Sequence, residues 1–348
     1  MMVTNRTKFA QRFAALLAAA VLVSPMAHGQ DAAAARTEFI ARMVADHGFD
    51  RAALETLFAD VDVNQQILDA ISKPAERVLS WGEYRDIFLT EARIRSGVEF
   101  WAEHAAEIHA ASERFGVAPE ILVAIVGIET WFGTRMGRYR VLESLSTLAF
   151  AYPPRSRFFS SELEAFLLLA REEQFEPGDV LGSYAGAMGA GQFIPTSFRA
   201  YAVDANDDGK RNLWSDWEDV LGSVANYFSA HGWKADERIA DQATRRPGAS
   251  ASEPPNSMDL NETIETLTQS GYVFATDLPA STPVTVLGLD GRDGTEYWVG
   301  YHNFRVITRY NRSVMYALAA KQLADAIASA LPHAAATASE GSAKEDPA

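Results

Sequence analysis

One segment constrains this chain more than any other: Pro119-Glu-Ile-Leu-Val-Ala-Ile-Val-Gly-Ile-Glu129-Thr-Trp-Phe-Gly133. Pro119 suits the first position of a helix, where its missing N–H costs nothing. The nearly uninterrupted apolar run that follows ends on a carboxylate beside an aromatic, glycine-rich turn. A carboxylate so placed is partly stripped of water, which penalises its charged form and raises its pKa. A carboxyl group that keeps its proton near neutral pH can serve as a general acid. The same residues also suit a helix-end Glu that simply points into solvent, so the rest of the chain has to decide.

The 348 residues suffice for one large or two ordinary domains, and a 48% hydrophobic content allows a sizeable core. Residues 1–29 read as a secretory signal. Arg6, Lys8 and Arg12 form a basic start, an apolar run follows from Phe13 to Val23, and Ala27-His28-Gly29 offers a cleavage site before Gln30. The run is too short and wrongly flanked for a membrane span, and no later stretch is long and apolar enough for one. There is no cysteine, which excludes disulfides, thiolate metal sites, cysteine nucleophiles and a lipid-modified N-terminal cysteine. The expectation is a soluble, exported protein. Loss of the signal removes three positive charges and takes the net charge from −15 to −18. Such acidity disfavours nucleic acid and anionic membrane surfaces.

The pattern is mainly helical. Phe39, Met43, Phe49, Leu54 and Leu57, then Tyr84, Phe88, Ile94, Val98, Phe100 and Trp101, recur near helical spacing within residues 31–115. A helix is expected from Ser161, with Glu164 completing a capping box, and another over Asp219–Ala230. Residues 234–260 are polar and rich in Pro, Ala and Ser and read as a linker or irregular excursion. Between Pro283 and Tyr310 the pattern turns to β: Val284 to Leu287 form one run, and Tyr297, Val299 and Tyr301 alternate before Phe304 and Val306. A final helix spans Val314–Leu331, and the tail 332–348 reads as disordered. The expected organisation is a signal (1–29), a helical region (30–115), a core (116–233), a linker (234–260), and a small β part with a closing helix (261–331).

Three further segments carry chemistry. Gly182-Ser-Tyr-Ala-Gly-Ala-Met-Gly-Ala-Gly-Gln-Phe-Ile-Pro195 lets backbone approach a ligand closely. Ser183 and Gln192 add hydrogen-bonding groups, and Tyr184 and Phe193 add apolar faces. That mixture suits a sugar, and tight helix packing is the competing reading. Asp204-Ala-Asn206-Asp-Asp208-Gly-Lys210 matches the first half of an EF-hand loop, with the Lys210 carbonyl at the seventh position. Ser215 stands where the closing carboxylate belongs, so Asp216, Glu218 or Asp219 would have to close a longer loop. An Asp-rich turn that binds nothing is the alternative. Ile307-Thr-Arg-Tyr310-Asn311 places an aromatic and an amide at a strand-to-helix junction, where they could floor a sugar subsite or simply cap a helix. The histidines show no metal spacing, and no Gly-x-Ser-x-Gly elbow exists.

Taken in order, these segments resemble the B-type family of bacterial lytic murein transglycosylases, over roughly Tyr84 to Leu323. The resemblance rests on Ile-Glu129-Thr-x-x-Gly133, Arg140-Val-Leu, the Gly182–Phe193 segment, Asn212-Leu-Trp214, Gly222-Ser-Val-Ala-Asn-Tyr-Phe228, His231-Gly-Trp233, Asn303-Phe and Ile307-Thr-Arg-Tyr-Asn311. It implies an α+β fold: a lysozyme-like catalytic core flanked by a helical part and a small β part. It implies Glu129 as the single catalytic acid/base, and Ser183 and Gln192 as residues that hold substrate beside it. Tyr84, Tyr227, Tyr310 and Asn311 would line a glycan groove. Asp204, Asn206, Asp208, Lys210 and Asp219 would hold a structural Ca2+. This loop is one residue longer than the family pattern, which keeps Asp216 and Glu218 in play. The implied partner is the peptidoglycan glycan strand, in the periplasm, without a lipid anchor and without an organic cofactor.

Most glycosidases place two carboxylates across the scissile bond. Here Glu143 and Glu162 have ordinary helix-surface readings, so the one-carboxylate pattern fits the substrate-assisted route that the resemblance implies. In that route the substrate's N-acetyl group assists and a 1,6-anhydro sugar forms. A hydrolytic muramidase and a non-catalytic peptidoglycan-binding protein are the competing functions.

Overall fold

The structure, a computed structural model, describes residues 25–72, 79–249 and 252–331. The expected signal lies outside the described residues except for 25–29, and the tail from 332 lies wholly outside. Helices α1 (Pro25–His47), α2 (Arg51–Phe58), α3 (Gln65–Ile71), α4 (Trp81–Phe88), α5 (Glu91–Glu103) and α6 (Ala105–Phe115) come first. Asp50, Asn64, Ser80 and Thr90 begin four of them, each accepting a backbone N–H with its side chain. Ser80 and Glu83 complete a capping box at the start of α4. Gly116 ends α6 in the left-handed conformation that costs glycine little.

The next helix, α7 (Pro119–Thr130), is the centre of the molecule. Every residue from Ile121 to Val126 is fully buried, against α5, α6 and the last helix of the chain. Burial of each large aliphatic side chain there is worth about 1.5–3 kcal/mol. Beyond it come β1 (Tyr139–Arg140), α8 (Val141–Ala151), α9 (Ser156–Glu173), β2 (Leu181–Gly182), α10 (Pro195–Tyr201) and α11 (Trp217–Ala230). The two short strands pair antiparallel, with Tyr139 opposite Gly182, and tie the glycine-rich segment to the chain leaving α7.

The remaining elements are β3 (Ala240–Arg245), β4 (Glu262–Thr263), α12 (Ile264–Gln269), β5 (Tyr272–Val273), β6 (Pro283–Gly291), β7 (Gly294–Gly300), α13 (His302–Tyr310) and α14 (Val314–Ala330). The strands form an antiparallel sheet in the order β4-β6-β7-β3-β5, over a small core of its own that includes Leu267, Tyr272, Val284 and Val299. The tip of the β6–β7 hairpin returns to α4. Arg292 pairs with Asp86, while Trp81 Nε1 and Arg85 donate to Glu296 at 3.1 and 3.0 Å. The small sheet thereby braces the helix that carries Tyr84.

Three expectations need correction. Residues 234–260 are not merely irregular, because β3 lies inside the sheet between β7 and β5. Its buried positions are two alanines among polar residues, too small to announce a strand. Phe304 and Val306 do not continue the β pattern; they lie on α13, so the Tyr310–Asn311 junction joins two helices. Finally, α9 starts at Ser156, not Ser161. Ser161 donates to the Arg157 carbonyl within the helix, and Glu164 bonds His47 at 2.9 Å and pairs with Arg42 instead of capping.

Candidate active site

Glu129 sits half-buried in the last turn of α7. The chain then does something unusual for non-glycine residues. Trp131 and Phe132 both adopt left-handed backbone conformations (φ 50° and 56°), followed by Gly133 at 79°. The Trp131 and Phe132 N–H groups donate to the carbonyls of Gly127 and Val126, closing the helix end. Each left-handed bulky residue costs on the order of 1–3 kcal/mol and persists only when its surroundings hold it. Phe132 is held because its ring fills the space above Gly97 and Gly127, where a Cβ would come within 3.2 and 2.7 Å of it. Thr130, itself buried, accepts the Gly133 N–H at 3.0 Å and donates to the Ala190 carbonyl at 2.8 Å. The turn after Glu129 is thus fastened to the glycine-rich segment.

One side-chain partner of Glu129 is a residue that the sequence pattern does not single out. Tyr316, on α14, donates its hydroxyl to Glu129 Oε1 at 2.5 Å. Burial pushes the Tyr316 phenol well above its ordinary value, and the Glu129 charge adds to the effect. Tyr310 is raised in the same way and for the same reasons, in the same order. Both shifts favour the protonated phenol, the form that donates a hydrogen bond. Tyr310 donates to the Gly191 carbonyl at 2.5 Å and packs on Phe193, Tyr227 and Phe228. Tyr227, pushed up to about 12 by burial, donates to the Arg309 carbonyl at 2.7 Å. Gln192 takes a left-handed conformation (φ 52°), and its amide donates to the carbonyls of Gly189 and Met136 at 2.9 and 3.2 Å. Gln192, Tyr227 and Tyr310 line one cavity of about 140 Å³.

Tyr84 is buried on α4 against Phe88 and contributes to the electrostatic environment of Tyr316, which links it to the Glu129 cluster. Ser183 forms its own turn: its hydroxyl oxygen accepts the N–H groups of Ala185 and Ala187 at 3.3 and 3.0 Å. Asn311 ends α13 in an extended conformation next to Tyr310. The glycines offered for ligand approach serve packing as well, since a Cβ on Gly189 would lie 2.4 Å from the Leu213 carbonyl oxygen. Of the two carboxylates considered as second acids, Glu143 accepts from Asn64 at 2.9 Å. Glu162 is not a helix-surface residue at all. It is buried, accepts both the N–H and the hydroxyl of Thr196 at 3.0 and 2.7 Å, and is held above its usual range by that burial. Its role is to cap the first turn of α10.

The acidic loop is organised by its own backbone. Asp204 accepts the N–H groups of Asp208 and Gly209, and Asn206 that of Asp208. Asp208 accepts the Lys210 N–H at 2.9 Å. Asp216 caps α11 and accepts from Asn206, and Glu218 is exposed, whereas Asp219 is fully buried. Both Asp219 oxygens point into the loop, each accepting a backbone N–H, from Ala205 and Asn212, at 2.7 Å. Among the described residues no three carboxylates or histidines are gathered closely enough to hold a metal ion by themselves. The donor set, all oxygen, still matches what a hard cation requires. Burial raises the Asp219 carboxyl, and the charges of Asp216 and Asp204 raise it further, a strain that a cation would relieve.

A half-buried acid at the end of an apolar helix, close to the tyrosines of an aromatic-lined cavity in a mainly helical α+β fold, is the arrangement of a lysozyme-like protein. The chain belongs to the family of the transglycosylase SLT domain, which matches residues 31–325. It is 41% identical over 301 residues to the membrane-bound lytic murein transglycosylase B of Escherichia coli K12, covering 84% of this chain and 82% of that one. The structure of the catenated lytic transglycosylase SltB1 from Pseudomonas aeruginosa superposes with a TM-score of 0.80 at 50% identity, covering 84% of this chain and 97% of that one. The E. coli lytic transglycosylase Slt35 in complex with calcium superposes with a TM-score of 0.78 at 40% identity, covering 85% and 93%. Among the described residues no helix is long and apolar enough to cross a membrane.

Proposed function

We propose that this protein is a lytic transglycosylase that cleaves the β-1,4 bond between N-acetylmuramic acid and N-acetylglucosamine in peptidoglycan, with Glu129 as the single acid/base. The observation that carries the reading is the pairing of half-buried Glu129 with the Tyr316 hydroxyl, beside a tyrosine-lined cleft. Protonated Glu129 gives its proton to the glycosidic oxygen, and the glucosamine O4 leaves as a hydroxyl. The muramoyl N-acetyl oxygen stabilises the cation left at C1. Glu129, now a carboxylate held by Tyr316, takes the proton of the muramoyl C6 hydroxyl as that oxygen bonds to C1. A 1,6-anhydro sugar results, no water is consumed, and the acid is regenerated. Ser183 and Gln192 orient the substrate, and Tyr84, Tyr227, Tyr310 and Asn311 line its path. Muropeptides released from purified sacculi test the reaction type. Products lighter by one water than hydrolytic ones are expected, and free reducing ends would mean a muramidase. The place of action is the periplasm, reached through the signal in residues 1–29.

The acidic loop holds Ca2+ in this reading, through Asp204, Asn206, Asp208, the Lys210 carbonyl and Asp219. The ion is structural and takes no part in the chemistry. Because Asp219 ties the start of α11 to the loop, and α11 carries Tyr227, ion binding should stabilise the fold. Millimolar Ca2+ is expected to raise the melting temperature by about 2–3 °C over a chelator-treated sample, as roughly 1–2 kcal/mol would in a chain of this size. Asp208→Asn should abolish most of that rise, and a rise that survives Asp208→Asn would place the ion elsewhere.

A further inference from the structure

The cleft wall continues into a second cavity that the proposed reaction leaves unused. Arg305, Thr308 and Arg309 share one face of α13 by their spacing, and Arg312 joins them just beyond the end of the helix, where all four line the same cavity. Phe304 and Ile307 are buried in the core on the other side. With His231, Met258 and Asp259, the arginine face lines an open cavity of about 250 Å³. Arg309 lines the Gln192–Tyr227–Tyr310 cavity as well, so the two spaces share a wall. That wall is fixed from behind, where Tyr227 donates to the Arg309 carbonyl and His231 stacks on the Tyr227 ring at 4.1 Å.

The charge of the cavity is one-sided. Three guanidinium groups face a single carboxylate, Asp259, which pairs with Arg305 at 3.5 Å. Among the described residues, no ion pair joins Arg309 or Arg312 to an acid. A favourable contact with the helix C-terminus would account for Arg309 alone. It does not account for Arg305, nor for three like charges around one concavity in a chain whose net charge is −15. Like charges so gathered repel one another, and a bound anion offsets the repulsion.

We propose that this cavity binds carboxylates of the stem peptide carried by the muramoyl residue, and that it makes the enzyme favour peptide-bearing strands. The inference rests on the peptidoglycan reading above. The stem peptide leaves the sugar through its lactyl group and bears free carboxylates, which the planar fork of arginine pairs with in two parallel hydrogen bonds. A strand stripped of peptide offers only the lactyl carboxylate. A glycan lying against Tyr227 and Tyr310 would carry its peptide past Arg309 into the arginine face.

The test compares the full-length exported protein with its Arg305→Gln/Arg312→Gln variant, on peptide-bearing strands and on strands freed of peptide by an amidase. Arg309 is left in place because it also walls the cleft. The ratio of kcat/KM for peptide-bearing over peptide-free strands is expected to fall about five- to tenfold, through KM more than kcat. Arg312→Lys alone should keep most of the ratio. Peptides with amidated carboxylates should bring the wild-type ratio down to that of the double variant. A ratio within twofold of wild type, or equal losses on both substrates, would overturn the inference while leaving the transglycosylase reading intact. A wild-type protein that cleaves neither substrate would overturn that reading and this inference with it. Should the double variant be inactive, binding of a peptide-bearing fragment in a Glu129→Gln background decides the point. Weakened affinity for that fragment relative to its peptide-free counterpart supports the site, and unchanged relative affinity refutes it.

Discussion

Glu129→Gln is expected to lower kcat on peptidoglycan by about 10⁴-fold or more, because in the proposed mechanism one side chain supplies both the acid and the base and each role is worth about 10²–10⁴-fold. The amide is nearly isosteric and can still accept the Tyr316 hydroxyl. Neither the apolar packing of α7 nor the Thr130 link to Ala190 changes. KM and melting temperature should therefore stay close to wild type. The loss should appear as a missing chemical step, and the variant should still be retained on sacculi. Steady-state rates and a thermal melt check both halves. Activity within tenfold of wild type would remove Glu129 from the reaction.

Tyr316→Phe should cost about 10- to 100-fold in kcat with little change in KM, since a hydrogen bond to a charged group is worth roughly 1.5–3 kcal/mol. The ring is almost wholly buried in α14, so phenylalanine keeps the packing and removes one oxygen. That oxygen donates to Glu129 at 2.5 Å. Tyr316 holds the carboxylate in the orientation from which it delivers one proton and collects the next. It is a positioning residue in this account, and its signature is a kcat effect without a KM effect. An unchanged kcat would show that the close contact does not serve the reaction.

These two residues also show what could and could not be read from the chain. Glu129 was legible because an apolar helix with a proline start has an obvious end, and a carboxylate at that end is conspicuous. Tyr316 was not, because Val314-Met-Tyr316-Ala reads as an ordinary core helix. Only the packing of α14 on α7 brings its hydroxyl to Glu129. The left-handed turn at Trp131 and Phe132 was hidden for a related reason. Local preference puts glycine in such positions, and the compensation comes from Gly97 and Gly127, far away or on the preceding turn. Glu162 looked like a surface residue since its partner, Thr196, lies beyond the glycine-rich segment. Strand β3 was lost among polar residues because its inward positions are alanines, which carry neither β-branching nor bulk. The β6–β7 hairpin, with its β-branched and aromatic alternation, was visible. For Tyr316 and Glu162 the deciding interaction is long-range, and no local pattern encodes it.

The central claim is that the C6 hydroxyl of the substrate, and not water, takes the place of the leaving sugar. Digestion of purified peptidoglycan in water enriched in heavy oxygen measures this directly. The account predicts released muropeptides with a 1,6-anhydro end, one water lighter than hydrolytic products, and with no heavy oxygen at C1. Products with a free reducing end that carry the heavy isotope would contradict it, and would require a second group near Glu129 to activate water.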